Sequence, residues 1–124
     1  MSTPLILTTG VYDLIKDHVR RKKVSKEQED LLTDNLRHAT QVVRKELPEN
    51  VVTVDRKVKV KNVTANEELE LALVGPARAK VTKKRYSILS DIGLATVGKA
   101  VGETVEWPTN EGTTTYQILE VAAL

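Results

Sequence analysis

Apolar positions along this chain follow two periods, and the change falls near residue 48. Before it the spacing is helical. Val11, Leu14, Ile15 and Val19 recur at i, i+3, i+4 and i+8, which is one face of a helix. Thr8 and Thr9 precede that face and suit an N-cap. Leu32, Leu36, Ala39, Val43 and Leu47 step by four, three, four and four, close to a heptad seam, and predict a second helix ended by Pro48 and Asn50. Ser25 stands three residues before Gln28, the spacing of a capping box. The connection between the helices is short, so an antiparallel hairpin with facing seams is expected over residues 1–49.

From residue 50 to 124 the period becomes two. Val58 and Val60 alternate with Lys57, Lys59 and Lys61, and Leu69, Leu71 and Leu73 alternate with Glu68, Glu70 and Ala72. Asn62 to Asn66 fits the turn between these strands, and Gly75-Pro76 closes the second. Ile88-Leu89 is a short strand candidate. Next comes Ser90 as a cap, Asp91 in the first turn and Gly98 at the C-terminal cap of a helix of about two turns. Thr104 to Trp107 and Thr114 to Val121 predict a final hairpin across Thr109-Asn110-Glu111-Gly112. The expected class is α+β: a helical hairpin, then a twisted antiparallel sheet with one short helix on a face.

Composition narrows the picture. Phe is absent and Trp107 is the single Trp, so the core rests on Val, Leu, Ile and Ala. A net charge of +2 gives no global pull on nucleic acid. The absence of Cys removes disulfides and thiolate metal sites and fits a reducing, cytoplasmic setting. The first residues lack a basic region and long apolar run of a signal peptide, and no stretch reaches membrane-spanning length.

The candidate chemistry is sparse. His18 and His38 fall in different helices, too few for a zinc site. There is no G-x-S-x-G, and Gly93, Gly98 and Gly102 are too widely spaced for a phosphate loop. Glu27, Glu29 and Asp30 suit the dipole of the second helix and the lysines around it. The sharpest charge feature is the hairpin turn, with Arg20, Arg21, Lys22, Lys23 and Lys26; it can face phosphate, an acidic protein surface or only solvent. Lys80, Lys83, Lys84 and Arg85 form a second cluster, expected in an exposed loop. Neither has interleaved aromatics for base stacking.

The order of the C-terminal parts resembles a known family. Ile88-Leu89-Ser90-Asp91-Ile92-Gly93-Leu94-Ala95-Thr96-Val97-Gly98-Lys99, then Gly102-Glu103-Thr104-Val105, is similar to the signature of the Gre transcription elongation factors, and Tyr116 to Val121 to their final strand. Leu5-Ile6-Leu7-Thr8, with Gly10 and Leu14, is similar to their N-terminal helix entry. The junction from Leu47 to Asp55, running into Val58 to Asn62, resembles most the Gre-related regulators of nucleoside diphosphate kinase. The resemblance implies an FKBP-like C-terminal domain without isomerase activity. It implies docking on RNA polymerase near the secondary channel. No enzymatic activity, cofactor or sequence-specific nucleic acid contact is expected, and the chain is expected to be a monomer. By position, the implied contact residues are Ser90, Asp91, Ile92, Gly93 and Leu94, with Asp91 where the family usually has proline. Cleavage-stimulating members carry a long coiled coil whose acidic tip helps hold Mg²⁺ in the polymerase. The short hairpin and its basic turn depart from that pattern, so binding without cleavage is expected. An interaction module of the same fold with a non-polymerase partner is the alternative, and a hydrolase or metal enzyme would rest only on scattered carboxylates.

Overall fold

The computed structural model describes residues 5–109 and 111–123. Strand β1 (Ile6–Thr8) leads into helix α1 (Thr9–Arg20), whose N-cap Thr8 accepts a hydrogen bond from the Val11 N–H. Helix α2 (Lys26–Arg37) begins at Ser25, and the full capping box with Gln28 is present. Val11, Ile15, Val19, Leu32 and Leu36 bury the facing sides of the two helices in the core.

The second helix is shorter than its apolar spacing predicts. It ends at Arg37, and Thr40–Val42 instead form strand β2, paired in parallel with β1. Thr40 and Val42 are β-branched, and the β1 backbone offers an open ladder beside them. The seam ends with the helix: Val43 is 52% exposed, whereas Leu47 is buried after a 3-10 turn over Arg44–Glu46.

The C-terminal sheet contains β3 (Arg56–Asn62), β4 (Glu67–Val74), β5 (Arg85–Ser87), β6 (Thr104–Thr109) and β7 (Gly112–Ala123), in spatial order β5-β4-β3-β7-β6. Alternation places Val58, Val60, Leu71 and Leu73 in the core. The outward Lys57 and Lys59 pair with Glu70 and Glu68 across the strands. Three expectations change. The sheet is mixed, because β5 runs parallel to β4. The strand before the short helix is Arg85–Ser87, and Ile88-Leu89 form the turn that follows, with Ile88 buried by tertiary packing. Trp107 and Tyr116 join the aliphatic core. Asn110 of the expected final turn lies outside the described residues.

One apolar cluster runs from Leu5 through the hairpin to Ile118, so the helices and sheet share a core. The link between them is held by Arg56, whose buried guanidinium donates to the Pro48 and Val51 carbonyls. Among the described residues no helix is long and apolar enough to cross a membrane.

Candidate functional site

Helix α3 (Asp91–Thr96) is built by local polar residues and one glycine. The Ser90 Oγ accepts from the Gly93 N–H and donates to the Ser87 carbonyl, which closes the turn between β5 and the helix. The Ser87 Oγ accepts from the Leu89 N–H in the same turn. Gly93 lies directly on this turn: a Cβ there would stand 2.4 Å from the Ile88 carbonyl oxygen. Only glycine lets the helix approach so closely. The helix stops at Gly98, whose φ of +81° is left-handed. Its N–H donates to the Val52 carbonyl, and its carbonyl accepts from the Ile6 N–H, so β1 and the interdomain link meet behind the helix.

The five positions singled out in the sequence share one segment with unequal access. Ser90 is half-buried and Asp91 exposed, whereas Ile92, Gly93 and Leu94 are buried. A partner approaching here meets the Leu89–Asp91 turn, not the Ile92 and Leu94 side chains.

Asp91 is also the hub of a polar cluster that sequence reasoning missed. Its Oδ1 accepts from the Trp107 indole N–H at 3.0 Å and from the Gln28 amide at 3.3 Å. The same Gln28 nitrogen donates to the Pro108 carbonyl at 2.7 Å, while its Oε1 accepts from the Ser25 N–H. Thus the capping residue of α2 is bonded to the start of α3 and to β6. Burial pushes the Tyr116 phenol pKa up, and the Asp91 charge adds to that shift. A lone buried Trp whose N–H needs an acceptor was the available signal; the acceptor's identity was not. Beside this cluster, a cleft of about 450 Å³ opens between α2 and the α3–β6 region, lined by Leu31, Asn35, Leu94, Lys99 and Trp107 among others.

At the hairpin turn the basic residues gather as expected, but four of the five are ion-paired and share three carboxylates. Arg20 and Arg21 pair with Asp17, Lys22 with Glu29, and Lys26 with Glu29 and Asp30. Lys23 has no ion-pair partner among the described residues. His18, one turn before the tip, has its pKa lowered by burial and by Lys23, with Asp17 opposing. His38 caps the far end of α2.

The comparisons agree with this architecture. The family described as "Transcription elongation factor, GreA/GreB, C-term" matches residues 47–123. A transcription elongation factor GreA of Clostridium botulinum is 37% identical over 90 residues, covering 73% of this chain and 56% of that protein. A GreA of Clostridium beijerinckii is also 37% identical over 91 residues, covering 73% of this chain and 57% of the relative. The chain therefore spans little more than half the length of these curated relatives. Among solved structures, the prokaryotic transcription elongation factor GreA/GreB from Nitrosomonas europaea superposes with a TM-score of 0.70 at 27% identity, over 98% of this chain and 99% of that one. The Gfh1 protein of Thermus aquaticus shares the fold at 16% identity and a TM-score of 0.53, over 98% of this chain and 100% of that one. With its C-terminal sheet, capped short helix and closing hairpin all inside the matched region, the chain belongs to the GreA/GreB family of transcription elongation factors.

Proposed function

We propose that this chain is a transcription regulator that binds RNA polymerase near its secondary channel, through the C-terminal domain and the Leu89–Asp91 turn, and does not stimulate transcript cleavage. It acts by occupancy and has no catalysis of its own. The observation that carries this reading is the hairpin tip. Each helix has 12 residues, so each spans about 18 Å at 1.5 Å per residue. Of the carboxylates beside the turn, Asp17, Glu29 and Asp30 are committed to neighbouring arginines and lysines, and Glu27 stands without an ion pair among the described residues, a lone monodentate ligand at most. A carboxylate held by a cation is a poor ligand for Mg²⁺, and the surrounding positive charge repels the metal.

The test is competition on a stalled elongation complex. The expected result is displacement of a cleavage factor without any rise in transcript cleavage. Stimulated cleavage would overturn the tip argument, and folded protein at micromolar concentration that neither binds nor displaces would overturn the docking.

A further inference from the structure

We propose that the loop spanning residues 78–85 is a contact for the phosphate backbone of nucleic acid, independent of base sequence. The observation is a contrast between two basic clusters. At the hairpin tip, four of the five cations are paired with carboxylates. In the loop, Lys80, Lys83, Lys84 and Arg85 are exposed and have no ion pair among the described residues. Between Glu70 and Asp91 the chain carries Arg78 and these four cations and no carboxylate. Of this run, Arg78 alone is paired among the described residues, to Asp55.

The cations are displayed by a fixed backbone. Lys80 and Arg85 exchange both backbone hydrogen bonds, at 2.8 and 3.1 Å. The Lys83 N–H donates to the Lys80 carbonyl and the Lys84 N–H to the Val81 carbonyl. Lys84 takes the left-handed conformation at φ +57°, and its carbonyl accepts from the Ala72 N–H, which fastens the loop to β4. Little backbone entropy therefore remains to be lost when a polyanion binds. The loop borders a groove of about 420 Å³ whose other wall includes Lys57 and Glu70, a pair already neutralised.

The chemistry favours phosphate over an acidic protein surface. Protein interfaces rely on buried apolar or aromatic anchors, and the loop offers only Val81, 63% exposed. The one nearby aromatic, Tyr86, is half-buried against the core and not presented for stacking. Unpaired cations without aromatics suit backbone charge, not bases. This inference does not depend on how the protein docks on polymerase.

The experiment is fluorescence anisotropy of the full chain with labelled single-stranded RNA and with duplex DNA across a salt series. Three to four phosphate contacts predict a log K against log[salt] slope of about −2 to −3.5, the same for different base sequences. The double substitution Lys80→Gln/Lys83→Gln touches no packed side chain, which a thermal melt checks. It is expected to weaken binding on the order of tenfold at about 50 mM salt and to flatten the slope by roughly 1.5. Lys26→Gln at the hairpin tip, where the ammonium is already paired with Glu29 and Asp30, is expected to change neither. The RNA and DNA arms show which polymer is preferred. No wild-type binding at about 100 µM protein in low salt, where weak non-specific complexes form, would overturn the proposal. So would a double variant that binds like the wild type, or selective binding of polyglutamate in place of both nucleic acids.

Discussion

Asp91 carries two roles that a residue list would separate. It is the exposed first residue of α3, and its Oδ1 satisfies the N–H of a Trp that is only 1% exposed. Removing the carboxylate leaves that indole N–H without a partner in the core. Asp91→Ala is therefore expected to lower stability by about 1–3 kcal/mol in urea denaturation. Asp91→Asn, which keeps an acceptor oxygen, should lose less. Asp91→Pro fits the first helical position sterically but loses the acceptor, so its stability should resemble that of the Ala variant. His18 supplies the pH dependence. Its folded-state pKa lies below the ordinary 6.5 because burial and Lys23 disfavour the imidazolium. The unfolded chain then binds its proton more readily than the native one. The stabilisation is present above pH 6.5 and is lost as pH falls below it toward the folded-state pKa. His18→Gln is expected to flatten that loss between about pH 7 and 5, in denaturant midpoints taken across the range.

At the scale of elements, the joints decide more than the helices and strands they connect. The β5–α3 turn has no room for a side chain at Gly93, where a Cβ would meet the Ser87 and Ile88 carbonyls. Gly93→Ala is expected to cost about 3 kcal/mol, read as a lower thermal midpoint, and to shift Leu89–Asp91 in NMR spectra. The start of α2 has the opposite character, since its capping box is a local device. Ser25→Ala should cost about 1 kcal/mol, with the loss concentrated in the first turn of α2. Helix α2 ends where it does for a tertiary reason. Its heptad-like spacing continues past Arg37, but pairing with β1 takes Thr40–Val42 into a ladder and leaves Val43 in solvent.

On the scale of the whole molecule, the question is how firmly the hairpin is set against the sheet. Gln28 is 8% exposed, and its side chain bonds to Asp91 and Pro108 on two separate elements. Gln28→Ala breaks both bonds and half of the capping box. Amide exchange in α2 should then accelerate by about tenfold or more while β3 and β4 keep their protection. If the hairpin direction matters once the C-terminal domain is docked, the same variant should bind polymerase but displace a cleavage factor less well. Equal exchange in α2 and the sheet would show that helices and sheet open as one unit, consistent with their shared core.

The sequence by itself determined what depends on neighbours in the chain. The capping box at Ser25 and Gln28, the alternation of Val58, Val60, Leu71 and Leu73, the Ser90 cap and the Gly98 stop were all legible, because each is set within a few residues. The basic turn at Arg20 to Lys26 was visible as well. Its ion pairing was legible only in part, through the nearby Glu29 and Asp30. Tertiary structure alone decided the parallel pairing of β1 with β2, which joins segments far apart in sequence, and that of β4 with β5, where the chain must cross over within a short loop. It also decided the bonds from Gln28 to Asp91, 63 residues away, and to Pro108, 80 residues away. The short helix at Ser90 to Leu94 was found from its caps. That Ile92 and Leu94 are buried, while Asp91 is shared between solvent and Trp107, is decided by packing, because exposure belongs to what covers a residue and not to its own spacing.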